Sequence, residues 1–241
     1  MLITQRKAFW LLGGLSCYVA STVTRAWNWI PEEEHPCNIR RLSLEQVYQD
    51  FGAKGLPPLY RHPIVIRTNL ERNAALRSKT SRESIVHQFE PGFNVTLSSS
   101  NALSERRRTV TLQTYLDELA AIPETTPLQL SNESWYLFGE TYTEHWQHLL
   151  QSYQLPPCQT CERQWSALSF GIGNRGSGVQ WHTHGPGFSE ALHGRKHWIL
   201  YPPHHRPANH YHKDTSSRQW MEEEYSTTAI NDPDFYECTR E

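Results

Sequence analysis

The stretch Val179–Pro203, "VQWHTHGPGFSEALHGRKHWILYPP", decides how this chain is read. Two runs rich in β-branched and aromatic residues, "VQWHTHG" and "KHWILYPP", flank a glycine-bearing turn, and each reads as a strand. Side chains alternate across a strand, so Gln180, His182 and His184 share one face while Trp181 and Thr183 share the other. Two imidazoles on one face stand about 7 Å apart and can converge on a single ion. His182 and His184 are therefore candidate metal ligands. The spacing alone is a weak signal, because the chain has 13 histidines and His210-Tyr211-His212 repeats it in a loop. Glu190 adds a carboxylate only if "GPGF" turns it back towards the strand. His197 alternates away from Lys196, and His193, His197, His204 and His205 are read as structural or solvated histidines.

Upstream, the periodicity changes to that of helices. "SLEQVYQDFG" from Ser43 puts Leu44, Val47, Tyr48 and Phe51 at helical spacing, with Ser43 and Gln46 as a capping box and Gly52 as the stop. "PIVIRT" reads as a buried strand, a polar helical stretch follows to about Phe89, and "FNVTLSSS" reads as a strand. "TLQTYLDELA" and "TEHWQHLLQSY" are amphipathic helices on either side of the strand-like "ESWYLFG". "WSALSFGIGNRGSG" opens a region of strands and glycine turns, and "RPANHYHKDTSSRQWMEEEY" ends in one more helix. Helices early and strands late give an α+β protein.

Composition narrows the function. The 241 residues carry 23 basic and 25 acidic side chains, so there is no field of one sign to attract nucleic acid or an acidic lipid surface. The run Arg106-Arg107-Arg108 reads as a solvated loop. Residues 1–24 stand apart: Arg6 and Lys7 precede the apolar "AFWLLGGLSCYVASTV", which reads as a signal peptide or signal anchor. The remainder is then luminal, and Asn94-Val95-Thr96 and Asn132-Glu133-Ser134 are N-glycosylation sequons. Beyond Cys17, four cysteines remain. Cys158-Gln159-Thr160-Cys161 follows two prolines and lacks the strand-to-helix context of a thiol redox site, so a local disulfide is favoured. Cys37 and Cys238 can then tie the two ends of the domain together.

"WHTHGPGFSE" with "GRKHWILYPP" resembles the core of the JmjC family, cupin-fold oxygenases that use iron(II) and 2-oxoglutarate. The resemblance continues through "SWYLFGE" and "SALSFGIGNRGSGV" and covers most of residues 35–241. It implies a double-stranded β-helix, a jelly roll, preceded by N-terminal helices. It also implies that His182 is the first iron ligand, that His184 stands where the family has an acidic one, and that Lys196 binds the far carboxylate of 2-oxoglutarate. A lysine on a strand also serves to guard an edge. The family's late histidine has no counterpart after His212, so the chain looks short of about one β-hairpin, with the final strands missing.

Such oxygenases need three facial ligands. The expectation is an endoplasmic-reticulum-luminal protein with a degraded iron and 2-oxoglutarate site, acting through contacts with luminal or secretory-pathway proteins in their regulation or folding. The alternative is an active 2-oxoglutarate-dependent protein hydroxylase. Chromatin work is disfavoured by the luminal location and near-neutral charge, and membrane contact is expected only through an uncleaved leader.

Overall fold

The computed structural model describes residues 2–4, 9–13, 37–58, 60–99, 106–121, 135–138, 141–173, 177–202, 204–205, 220, 224–225 and 232–240. Its strands are β1 (Leu2–Thr4), β2 (Phe9–Gly13), β3 (Arg40–Ser43), β4 (Ile64–Arg67), β5 (Asn94–Ser99), β6 (Arg107–Thr111), β7 (Trp135–Tyr136), β8 (Val179–His184), β9 (Gly187–Ser189), β10 (Lys196–Tyr201) and β11 (Tyr236–Arg240). Its helices are α1 (Leu44–Phe51), α2 (Ala74–Thr80), α3 (Leu112–Ala121) and α4 (Glu144–Leu150).

The architecture is α+β, with the strands in three sheets ordered β3-β4-β1-β9, β11-β10-β2-β8 and β6-β5-β7. β3 and β4 run parallel, joined through α1, and the other pairings are antiparallel. Of residues 1–24, β1 and β2 lie within the described residues. β2 separates β10 from β8, with Leu11 opposite both Leu200 and His182.

The elements form where local chemistry favours them. The Ser43 hydroxyl accepts from the Gln46 amide, and the Gln46 side chain accepts from the Ser43 amide at 2.7 Å, closing the expected capping box. Gly52 ends α1 at φ +78°, a left-handed backbone that glycine adopts without a Cβ clash. Tyr48 departs from its helical expectation and lies 40% exposed, while Val47 is buried. Leu97, Leu112, Tyr115, Leu137 and Trp146 centre the main core between α3, α4 and the third sheet. Val47, Leu56, Ile64, Ile66 and Cys158 form a second cluster, and Ile39, Val65, Leu200 and Cys238 a third. Each fully buried Leu or Ile contributes about 1.5–3 kcal/mol of transfer free energy.

Three expectations change. Arg107 and Arg108 belong to β6, because Arg108 pairs with Glu118 and stacks 4.9 Å above the Trp135 ring, which takes it out of a solvated loop. Residues 166–173 form no strand; their one ladder contact is the bridge between Ile172 and Leu137. His205 is also not a solvated loop residue, as described below. The helix expected before Tyr225 lies outside the described residues except for the buried Trp220 and for Glu224 and Tyr225.

Both disulfides form. Cys158 pairs with Cys161, and Cys37 pairs with Cys238 across a separation of 201 residues. Beside the second bridge the Asn38 amide donates to the Glu237 carbonyl and the Asn38 side chain accepts from the Glu237 amide, which covers the outer edge of β11. No helix among the described residues is long and apolar enough to cross a membrane.

Candidate metal centre

β8 brings His182 and His184 together, with ring centroids 5.8 Å apart and planes 73° from parallel. Behind them the buried Trp181 packs on Tyr201 and Trp220 on the opposite face of the sheet, which fixes the side to which the two imidazoles point. His184 Nδ1 lies 3.0 Å from its neighbour's carbonyl, that of Gly185. When Nδ1–H donates to that oxygen, the lone pair of the neutral ring sits on Nε2, the nitrogen a metal would use.

Lys196 opens β10. Leu200 stands level with His182 across β2, so Leu200, Trp198 and Lys196 share the face of the imidazole pair. Four residues separate Lys196 from Leu200, which places it about 13 Å along the strand direction. Its Nζ lies 4.1 Å from the centroid of the Trp198 ring. Part of the side chain meets solvent, yet the loss of water around the ammonium pulls its pKa down to about 8. A desolvated cation held by a π face is suited to receive an anion.

Glu190 is committed elsewhere. Its Oε2 accepts from Asn73 Nδ2 at 2.9 Å and from the Tyr153 hydroxyl at 3.0 Å, and its Oε1 lies 3.5 Å from Arg77. "GPGF" therefore turns this carboxylate onto α2 and the segment after α4. His193 joins the same region, its Nε2 near the Thr80 hydroxyl and the Arg77 carbonyl. His197 is buried with its Nε2 3.1 Å from Glu237, which also accepts from the Tyr225 hydroxyl at 2.7 Å. Both act in the structural manner expected of them.

An iron and 2-oxoglutarate centre needs a third donor, and the geometry does not supply one among the described residues. There, only His205, Asp232 and Asp234 bring three such ligand atoms within 4.8 Å of one another, and they lie away from the His182 pair. The described residues thus fit two imidazole ligands and an anion-seeking lysine, not a complete facial triad. The His205 cluster escaped the sequence reading because its partners are 27 residues or more away in the chain. The one local cue was the Asp232-Pro233-Asp234 turn.

The chain is 34% identical over 199 residues to JmjC domain-containing protein 8 of Mus musculus, covering 83% of this chain and 70% of that protein. It is 34% identical over 201 residues to the Rattus norvegicus protein of that name, covering 82% and 69%. To the Homo sapiens protein it is 32% identical over 193 residues, covering 80% and 69%. No family model matches the chain, and no solved structure does.

Proposed function

The chain belongs to the family of JmjC domain-containing protein 8, and on that premise we propose that it is a luminal protein of the endoplasmic reticulum whose iron and 2-oxoglutarate site is incomplete and which works through contacts with other luminal proteins. Membership implies a cupin-like fold, and the wider JmjC family generally uses iron(II) and 2-oxoglutarate. In this reading the strands belong to a double-stranded β-helix, and β8 and β10 are the pair that would present the ligands and the cosubstrate lysine.

One observation carries the reading: His182 and His184 face one way with no third His, Cys, Asp or Glu joining them among the described residues. Chelation depends on all donors being held at once, so an ion gripped by two neutral imidazoles is bound far more weakly than one in a triad. Both disulfides support the location, since such bonds persist in oxidising compartments. Asn94, exposed at the start of β5, is then open to glycosylation. The segment 1–24 is a signal peptide or a signal anchor; on cleavage β1 and β2 leave the mature chain, and as an anchor the segment would lie in the bilayer and not between β8 and β10, so the mass of the mature protein tells the two apart.

Calorimetry with iron(II) and 2-oxoglutarate tests the site, with no cosubstrate binding expected. Digestion of residues 35–241 by protease added to intact microsomes would remove the luminal assignment. Lys196 favours a second reading, an active protein hydroxylase, because its ammonium lies on the same face as the pair and lacks a carboxylate partner among the described residues. Turnover of 2-oxoglutarate to succinate that is lost in His182→Ala would establish that reading instead.

A further inference from the structure

His205 lies in the loop after β10, its ring stacked on that of Tyr201 at 5.5 Å and 7° from parallel. Its two nitrogens face different carboxylates: Nε2 is 3.2 Å from Asp232 Oδ2, and Nδ1 is 2.9 Å from Asp234 Oδ2. The Asp232 side chain is 8% exposed, and its other oxygen accepts from the Asp234 amide at 2.9 Å. Among the described residues no lysine or arginine pairs with either carboxylate. Two negative groups, one of them nearly buried, thus share a single imidazole, and burial without a full counter-charge is costly.

We propose that His205 and Asp232 form a binding site for a divalent first-row ion, oriented by Asp234 and separate from the His182 pair. The separation of 3.2 Å between Nε2 and Asp232 Oδ2 is that of adjacent ligands on an ion with bonds of about 2.1 Å. Asp234 takes the place of the carboxylate that receives the other N–H of a ligating histidine and fixes its tautomer. The Tyr201 ring sets the plane of the imidazole. Waters complete the coordination, and an imidazole with a carboxylate suits Zn²⁺ or Mn²⁺. The site is on the opposite face of the sheet from His182, since Tyr201 packs on Trp181 at 5.5 Å.

The test is calorimetric titration of chelator-stripped full-chain protein with Zn²⁺ and, separately, Mn²⁺. Wild type and the double variant His182→Ala, His184→Ala should each take up one ion per chain. Asp232→Asn should weaken uptake at least tenfold. Asp234→Asn, at a side chain 40% exposed and so tolerant of change, should weaken it by about tenfold through ring orientation alone. The proposal is overturned if wild type takes up no ion, leaving His205 simply held between two carboxylates. It is equally overturned if uptake disappears in the double variant but survives Asp232→Asn.

Discussion

Asn73 Nδ2 donates to Glu190 Oε2 at 2.9 Å across 117 residues of chain, and Asn73 Oδ1 accepts from the Gln154 amide at 2.7 Å. One side chain thereby joins α2, the segment after α4 and the end of β9. Asn73 is buried and has φ +59°, a left-handed conformation that asparagine tolerates better than most residues. Asn73→Ala should leave the Gln154 amide without its acceptor and Glu190 with one donor fewer, and cost about 2–4 kcal/mol, read as a lower denaturant midpoint with an unchanged slope. Asn73→Gly, which relieves the backbone but loses the same hydrogen bonds, should recover little of it.

Lys196 makes stability depend on pH in a stated direction. Burial lowers its pKa to about 8 in the fold, against roughly 10.4 unfolded, so between those values the unfolded chain binds more protons and stability rises with pH. Below pH 8 the full penalty applies, at most about 3 kcal/mol and less because part of the side chain meets solvent. Lys196→Met should stabilise the protein at pH 7 and flatten the rise between about pH 8 and 10 in urea titrations.

The two disulfides should differ in worth. In the chain-entropy model the Cys37–Cys238 bridge contributes about 5 kcal/mol and the short Cys158–Cys161 bridge about 2 kcal/mol. Replacing each pair by serine and comparing thermal midpoints checks the ordering; equal losses would point to local packing as the dominant contribution.

Gly55 has φ +72°, and a Cβ there would meet the Pro157 carbonyl oxygen at 2.1 Å. The neighbouring Leu56 amide donates to that carbonyl at 2.9 Å and fixes the bridge between Leu56 and Cys158. Gly55→Ala should therefore force the two segments apart. A loss of several kcal/mol is expected, with faster reduction of Cys158–Cys161 by added dithiol.

Local signals made much of this fold legible in the sequence. The Ser43–Gln46 box, the buried Ile64–Ile66 run and the alternation in β8 each depend on residues close together in the chain. Elimination left Cys37 and Cys238 as a pair, and the structure joins them. What stayed hidden depends on distant partners. Glu190 reads as a spare carboxylate until Asn73 and Tyr153 close on it. Arg108 reads as solvated until Glu118 and Trp135 receive it. His205 reads as loop until Asp232 and Asp234 arrive from beyond the next segment. The JmjC kinship was readable from the His182 to Lys196 stretch, and the relatives bear it out.

The central proposal is that the iron site is incomplete, since among the described residues no third His, Cys, Asp or Glu joins His182 and His184 as an iron oxygenase requires. Its most direct measurement is X-ray absorption on protein reconstituted anaerobically with iron(II) and 2-oxoglutarate, with His182→Ala beside it. The account predicts no iron signal that distinguishes wild type from the variant. Iron retained by wild type alone, with scattering from both imidazoles and a further side-chain ligand, would contradict it.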